Sequence, residues 1–436
     1  MSFATLGLND ALLQALNARG YSAPTNIQRQ AIPVILQGRD LLAAAQTGTG
    51  KTASFVLPML ERLAQGETVR KKRMRGLILV PTRELALQVH QMIGEYGAHT
   101  HLRSMAMFGG VDDKAQKQQL IEGVDIVVAT PGRLLDLYAQ RALHFDEVSM
   151  LVLDEADRML DLGFIETINQ ILAKLPENIQ HLLFSATLSP RVRDLAKSAI
   201  HDPEEITIAA KEASKANIHQ WLIPVDKDMK SSLLSHLIQT EGWKQTLIFI
   251  ETKHGAAKLV AQLEKRGIRA EAFHSGRSQA VREQVLADFK AGRVDFLVAT
   301  GVGARGIDIH ELPRVVNYDL PYPADEYVHR IGRTGRADAQ GEAVSFLSKD
   351  NFKNLCMIES RLGHLIERRD IEGFEPKKPI PISILNYVPK AKRDGNPASS
   401  AQGDHADKNN AASRRTRNPH HRKSRAKPKA PRNNGQ

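Results

Sequence analysis

What the sequence has least of narrows its character first. Its 436 residues hold one cysteine, Cys356, so no disulfide can form within the chain and a reducing cytoplasm is the expected compartment. No apolar stretch reaches the length of a membrane span, which excludes a spanning helix. Met1–Leu16 carries neither a basic residue nor a long apolar run and so does not read as a signal peptide. Pro389–Gln436 has no Phe, Tyr or Trp, and only three Asp against 13 Lys/Arg. Much of the rest of that segment is Asn, Ser, Ala and Pro. Such a composition cannot build a packed core and predicts a disordered tail.

Without that tail, Met1–Val388 holds 47 basic and 46 acidic residues, a near-neutral body long enough for two or three domains. All but one unit of the net charge of +11 therefore belongs to the tail. It is densest at Arg414-Arg415-Thr416-Arg417 and across Arg422–Lys429, where nucleic acid is the natural counter-charge.

In the body, the stretch Ala45-Gln46-Thr47-Gly48-Thr49-Gly50-Lys51-Thr52 stands out. It follows the apolar run Leu41-Leu42-Ala43-Ala44, a buried strand by its pattern, and precedes a helical pattern over Ala53–Leu63. Strand, glycine-rich loop, helix is the order a phosphate cradle needs. The glycines let the backbone curl so that N–H groups face phosphate oxygens, and the helix N-terminus adds partial positive charge. Lys51 can reach the outer phosphates, and the Thr52 hydroxyl can ligate Mg²⁺. Ala45 stands where the usual pattern opens with Gly, but a plain Gly/Thr turn would not explain an intact Gly-Lys-Thr with these flanks.

One rhythm then repeats. Leu77–Val80, Ile126–Ala129, Leu151–Leu153 and Leu182–Phe184 are short apolar runs, each ending in polar or charged residues. Helical patterns such as Glu84–Ala98 and Pro190–Ala199 lie between them. These are the marks of parallel strands buried on both faces, with functional groups beyond their carboxyl ends. After a short polar run near Ala209–Ala216 the rhythm resumes with Leu247–Ile250, Phe296–Ala299, Val315–Tyr318 and Ala343–Leu347, now without a phosphate loop.

Two further clusters carry chemistry. Asp154-Glu155-Ala156-Asp157 ends a strand, where one carboxylate can hold Mg²⁺ opposite Thr52 and its neighbour can orient an attacking water. His329-Arg330-Ile331-Gly332-Arg333-Thr334-Gly335-Arg336 spaces arginines by three, suited to stabilising charge on a transferring phosphoryl group from across a cleft.

Taken together and in this order, these motifs resemble those of the DEAD-box RNA helicases of superfamily two, over roughly Phe3 to Phe374. The resemblance implies an α/β protein of two RecA-like parallel-sheet lobes in tandem, with a disordered basic tail. It divides the chain into a first lobe (1–208), a linker (209–216), a second lobe (217–373) and a tail (374–436). ATP and Mg²⁺ are the implied cofactors and RNA the implied partner. Phe3, Tyr21 and Gln28 match the adenine-reading Q motif, and Thr47, Gly48, Thr49, Gly50, Lys51 and Thr52 the phosphate loop. Pro81, Thr82, Arg83, Gly109, Gly110, Thr130 and Arg133 match first-lobe RNA contacts. In the second lobe Thr252, Arg282 (with Gln279) and Thr300 match RNA contacts, and Asp308 a nucleotide contact. Asp154 is implied near Mg²⁺, Glu155 as the base, Ser185 and Thr187 as the coupling of hydrolysis to strand separation, and Arg333 and Arg336 as fingers. Phrases such as Thr252-Lys253-His254-Gly255-Ala256 point to an RhlE-type subgroup. A cytoplasmic monomer serving ribosome biogenesis or RNA-decay assemblies, away from membranes, is the expected setting. The competing expectation is an RNA-annealing protein dominated by its tail, with weak ATPase; DNA in place of RNA is a third.

One position departs from the family pattern. Gly301 stands where the resemblance implies an Asp touching the ATP ribose, so Gly301→Asp is expected to tighten ATP binding unless residue 301 has a positive φ. The accidental Gly301-Val302-Gly303-Ala304-Arg305-Gly306 is not a dinucleotide fingerprint, because Pro313 forbids the long helix that fingerprint requires.

Overall fold

The computed structural model describes residues 2–45, 48–66, 70–208, 218–301, 303–304, 307, 309, 312–335 and 340–385. Its framework is two seven-stranded sheets, parallel throughout. In the first lobe the strands are β1 (Leu41–Ala44), β2 (Gly76–Leu79), β3 (Ser104–Met107), β4 (Ile126–Ala129), β5 (Met150–Leu153), β6 (Gln180–Ser185) and β7 (Glu204–Thr207), in the spatial order β3-β4-β2-β5-β6-β1-β7. In the second they are β8 (Ile218–Pro224), β9 (Thr246–Ile250), β10 (Ala270–Phe273), β11 (Phe296–Thr300), β12 (Arg314–Asn317), β13 (Gly341–Leu347) and β14 (Glu367–Arg368), ordered β10-β11-β9-β12-β13-β8-β14. The two orders correspond strand for strand, with β8 in the place of β1 and β12 in the place of β5.

Helices cover both faces of each sheet, and separate apolar clusters fill the layers. The central strands are the continuous apolar runs read from the sequence. The strands missed by that reading, β3, β7, β8, β10 and β14, include the edge of each sheet. An edge strand is covered on fewer sides, so its sequence keeps polar residues, as in Glu204-Glu205-Ile206-Thr207. Packing also fixes the helix that carries the phosphate-loop lysine. Phe55 of Lys51–Ala64 tilts against Phe184 of β6 at 5.1 Å between ring centres, and truncating such a buried ring costs about 3–5 kcal/mol.

The expected linker, 209–216, lies outside the described residues. The tail expected from 374 onward does not begin there. Ile380 is buried beside Leu355 and Ile358, Arg368 donates to the carbonyls of Ile380 (3.0 Å) and Pro381 (2.7 Å), and the Ser383 hydroxyl donates to Glu359. Of the isoleucines at 380, 382 and 384 only Ile380 packs inward, while Ile382 and Ile384 are exposed, so one apolar anchor and these hydrogen bonds hold the segment that composition alone obscured among the prolines. Residues 386–436 lie outside the described residues. Among those described, no helix is long and apolar enough to cross a membrane.

Candidate functional site

The polar clusters gather at the carboxyl ends of the strands. Those after β1, β5 and β6 form one group, and those after β2, β3 and β4 another.

In the first group, Ala45 still pairs with β6 through its N–H to Ser185 O, 3.0 Å. Gln46 and Thr47 lie outside the described residues. Gly48 and Gly50 then adopt φ of 81° and 90°, left-handed conformations that cost a residue with a Cβ about 1–2 kcal/mol. Helix Lys51–Ala64 starts immediately after, with Thr49, Lys51 and Thr52 at its mouth. Lys51 is only 7% exposed, and its amino group is buried with no hydrogen-bond partner among the described residues. Gln28 braces the loop from below: its Nε2 donates to Gly50 O (3.2 Å) while its Oε1 accepts from Thr25 N (2.9 Å) in a capping box. A Cβ on Gly50 would fall 2.5 Å from that Nε2. Gln28 is thus a strut of the phosphate loop. Phe3 is buried in the first-lobe core and Tyr21 is on the surface near Tyr96, 6.3 Å between rings.

Asp154 follows β5 and is 3% exposed. Burial pushes its carboxyl up to about 7 against the opposing charge of Lys51, with Glu155 adding to the rise. Glu155 takes φ 51°, an uncommon conformation for a residue with a side chain and one that clusters at functional sites. Asp157 Oδ2 accepts from both the N–H and the hydroxyl of Thr187, each at 3.1 Å, and Ser185 Oγ donates to Thr187 O at 2.7 Å. The acidic turn and the Ser185–Thr187 turn are therefore joined directly.

In the second group, Pro81 is buried after β2 and Thr82 caps helix Arg83–Tyr96, accepting from Leu85 N at 3.3 Å. Gly110, at φ 80°, packs so closely on Arg83 that a Cβ would lie 2.5 Å from its guanidinium, and Gly109 beside it is open. Thr130 is the N-cap of Pro131–Ala139, and Arg133 donates to Val111 O at 3.1 Å. The second lobe repeats the scheme. Thr252 caps helix Lys253–Glu264, accepting from Gly255 N at 3.0 Å, and Thr300 at the end of β11 accepts from Gly303 N at 3.1 Å.

Arg282, expected as an RNA contact, lies between the lobes in the structure. It is buried, pairs with Glu84 of the first lobe at 2.8 Å, donates to Gly303 O at 3.2 Å and lies over the Phe273 ring. Its charge serves contact between the lobes. A second junction joins Arg158, the residue after the acidic motif, to His329 Nδ1 (2.9 Å) and Glu326 (3.6 Å). Burial, and then Arg158, pull the His329 imidazole below its ordinary range. Arg158 and Glu326 stand outside the catalytic residues read from the sequence, and Glu84 lies within the Pro81–Ala86 run with no role of its own there; their signal is charge in or next to a motif, which is as common on surfaces. Arg333 is buried and donates to Ile307 O at 2.6 Å. Asp308 and Arg336 lie outside the described residues. Gly301 does not have a positive φ, and a Cβ on it would lie 3.1 Å from Arg330 Nη2 and 3.3 Å from Glu326 Oε1.

Known proteins match this arrangement. The family model described as DEAD/DEAH box helicase matches residues 25–195, and that of the helicase conserved C-terminal domain matches 229–338. The chain is 42% identical over 357 residues to the ATP-dependent RNA helicase CshA of Listeria monocytogenes, spanning 82% of this chain and 68% of that one. It is 41% identical over 359 residues to the ATP-dependent RNA helicase DeaD of Mycobacterium tuberculosis, spanning 82% and 63%. Among solved structures, S. cerevisiae Dbp5 bound to RNA and ADP BeF3 superposes with a TM-score of 0.74 at 32% identity, over 85% of this chain and 95% of that one.

Proposed function

This chain belongs to the DEAD/DEAH box helicase family and is an ATP-dependent RNA helicase, and from that premise we propose how its residues divide the work. The first lobe (1–208) binds and hydrolyses ATP, and the second (217–373) completes the site when the lobes meet. The observation that carries this assignment is the buried amino group of Lys51, without a hydrogen-bond partner among the described residues, beside the buried Asp154 carboxyl. An isolated buried ammonium is costly unless something anionic pairs with it, and a phosphate chain answers that need. The same donor set fits Mg²⁺: Thr52 and Asp154 would hold the ion, which supplies charge neutralisation at the phosphates. Glu155 orients the attacking water and takes its proton. Arg333 and Arg336 stabilise charge on the transferring group, Asp308 touches the nucleotide, and exposed Tyr21 meets its adenine end, with Gln28 bracing the loop and Phe3 packed in the core behind it.

RNA lies across the second group. Arg83, Gly109, Gly110, Thr130 and Arg133 face one strand from the first lobe; Thr252, Thr300 and, through its pair with Glu84, Arg282 act from the second. Closure bends that strand and a short duplex falls apart; hydrolysis, sensed through Asp157, Thr187 and Ser185, reopens the cleft. The basic segment 389–436 adds phosphate contacts of no sequence preference. The RhlE-type subgroup gains no support from relatives named CshA and DeaD, and CshA-like standing is the reading we favour. A cytoplasmic monomer working on ribosomal or RNA-decay assemblies completes the proposal.

The test is ATP turnover and duplex separation with and without RNA, in wild type and Glu155→Gln. Turnover should depend on RNA. Glu155→Gln, nearly isosteric, should bind ATP and RNA yet neither hydrolyse nor recycle. Strand pairing that persists without ATP, or turnover indifferent to RNA, would overturn the reading.

A further inference from the structure

Glu326 sits in the first turn of helix Ala324–Ile331, and its two carboxylate oxygens face guanidinium groups from different lobes. Oε1 is 3.7 Å from Nε of Arg330, and Oε2 is 3.6 Å from Nη1 of Arg158. All three side chains are buried, at 6%, 7% and 8% exposure. Arg330 is fixed within the second lobe, donating to Asp319 O (2.9 Å) and lying over the Phe249 ring. Arg158 belongs to the first, its backbone N–H donating to Asp157 Oδ1 at 3.0 Å. The other oxygen of that same Asp157 carboxylate holds Thr187. The carboxylate of Glu326 thus separates two cations that closure brings together, in surroundings where water screens little.

Gly301 makes room for this. A Cβ there would press on Arg330 Nη2 at 3.1 Å and on Glu326 Oε1 at 3.3 Å, both tighter than ordinary contact. An acidic side chain at 301 would enter the space where Glu326 Oε1 now meets Arg330. We propose that Glu326 is a positioning residue for lobe closure, seated where Gly301 leaves no side chain and tying Arg158 of the first lobe to Arg330 of the second. This role presupposes the ATP- and RNA-driven closure proposed above. The ribose expectation for Gly301→Asp changes sign with it: in the wild-type background the new carboxylate meets Glu326, and like charges in a buried site repel.

The experiment follows closure by energy transfer between dyes on the two lobes of the full-length chain, with ATP and a single-stranded RNA, alongside RNA-stimulated ATPase. Glu326→Ala should raise the RNA concentration for half-maximal stimulation about tenfold or more, with a smaller change in turnover at saturating RNA. Gly301→Asp alone should weaken closure several-fold, about the effect of a misplaced buried charge. In the double variant, Gly301→Asp with Glu326→Ala, the new carboxylate replaces the lost one and closure should recover to within about threefold of wild type. Thermal unfolding checks each variant; if Glu326→Ala melts early, Glu326→Gln keeps the shape, removes the charge and should show the same loss of closure. If Glu326→Ala or Glu326→Gln closes as wild type does, or if Gly301→Asp restores nothing in the double variant, the assignment is wrong while the helicase reading stands. If wild type itself fails to close with ATP and RNA, the reading falls and takes this role with it.

Discussion

Each lobe buries a lysine at the same place in the same topology, and the two lysines have opposite fates. Lys51 opens the helix after β1, and Lys230 opens the helix Lys230–Thr240 after β8. Lys51 finds no hydrogen-bond partner among the described residues. Lys230 is 1% exposed and donates to Tyr318 O (2.7 Å), Asp319 Oδ1 (3.1 Å) and Asn351 Oδ1 (3.3 Å). The acidic partners correspond as well, Asp154 following β5 and Asp319 following β12. In the second lobe the pair is closed on itself: Asp319 Oδ2 accepts from Glu251 N, and Asp319 O accepts from Arg330. The loops differ to match, with Gly48 and Gly50 in left-handed conformations in one and no glycine in Val225–Met229 of the other. One scaffold therefore gives a ligand site where the lysine is left unsatisfied, and a brace for the arginine helix where it is satisfied.

The comparison breaks most visibly if both lysines are removed in turn. Lys51→Ala should cut ATP turnover by about a hundred- to a thousandfold, the cost of losing one preorganised charge-stabilising donor, and leave the melting temperature unchanged or higher. Lys230→Met should do the reverse. It strips the donor from Asp319 and two further oxygens, and should destabilise the protein by about 2–4 kcal/mol. Urea unfolding with ATPase assays on both variants separates the outcomes; equal losses of stability would erase the distinction.

A smaller effect follows from Asp154. Its carboxyl is pushed up to about 7 by burial, so in nucleotide-free protein it holds a proton between its ordinary range and about 7. Over that window the folded state binds more protons than the unfolded one, and this group's contribution to stability falls as pH rises, by at most about 1.4 kcal/mol per unit. Nucleotide binding with Mg²⁺, which calls on the charged form, should strengthen by up to about tenfold per pH unit toward pH 7 and then level off. Asp154→Asn should lose both slopes. Because other groups titrate in the same range, the diagnostic quantity is the difference between wild type and this variant; identical pH profiles would show that Asp154 is not the titrating group.

Much of this was legible in the sequence, and the physics says which parts. Central parallel strands are buried on both faces, so Ile126–Ala129 and Leu247–Ile250 read as unbroken apolar runs and sit where expected. Backbone needs also leave a mark, as at Gly48 and Gly50. Edge strands such as β7 carry no such mark. Nor do pairings between distant residues: nothing in the spacing of Glu84 and Arg282, or of Arg158 and Glu326, announces contact across a cleft. Lys230 is the sharpest example. As one of many lysines it carries no mark in the sequence, and only the equivalence of β8 with β1 shows what it corresponds to.

The smallest effect should come from giving the second loop the first loop's glycine. Met229 is the N-cap of its helix, as Gly50 is of the other, but with φ −90° and ψ −14°, which any residue adopts. Met229→Gly therefore meets no steric objection. It forfeits a half-buried side chain packed on the second-lobe core and gains chain entropy in the unfolded state, about 1 kcal/mol or slightly more in total. It should not create a nucleotide site, because Lys230 remains bound to its three oxygen partners and has no unmet need for phosphate. Calorimetric titration with ATP should give one nucleotide per chain in the variant as in wild type, with a slightly lower melting temperature. A second equivalent of ATP would show that loop flexibility, and not satisfaction of the lysine, separates the two lobes.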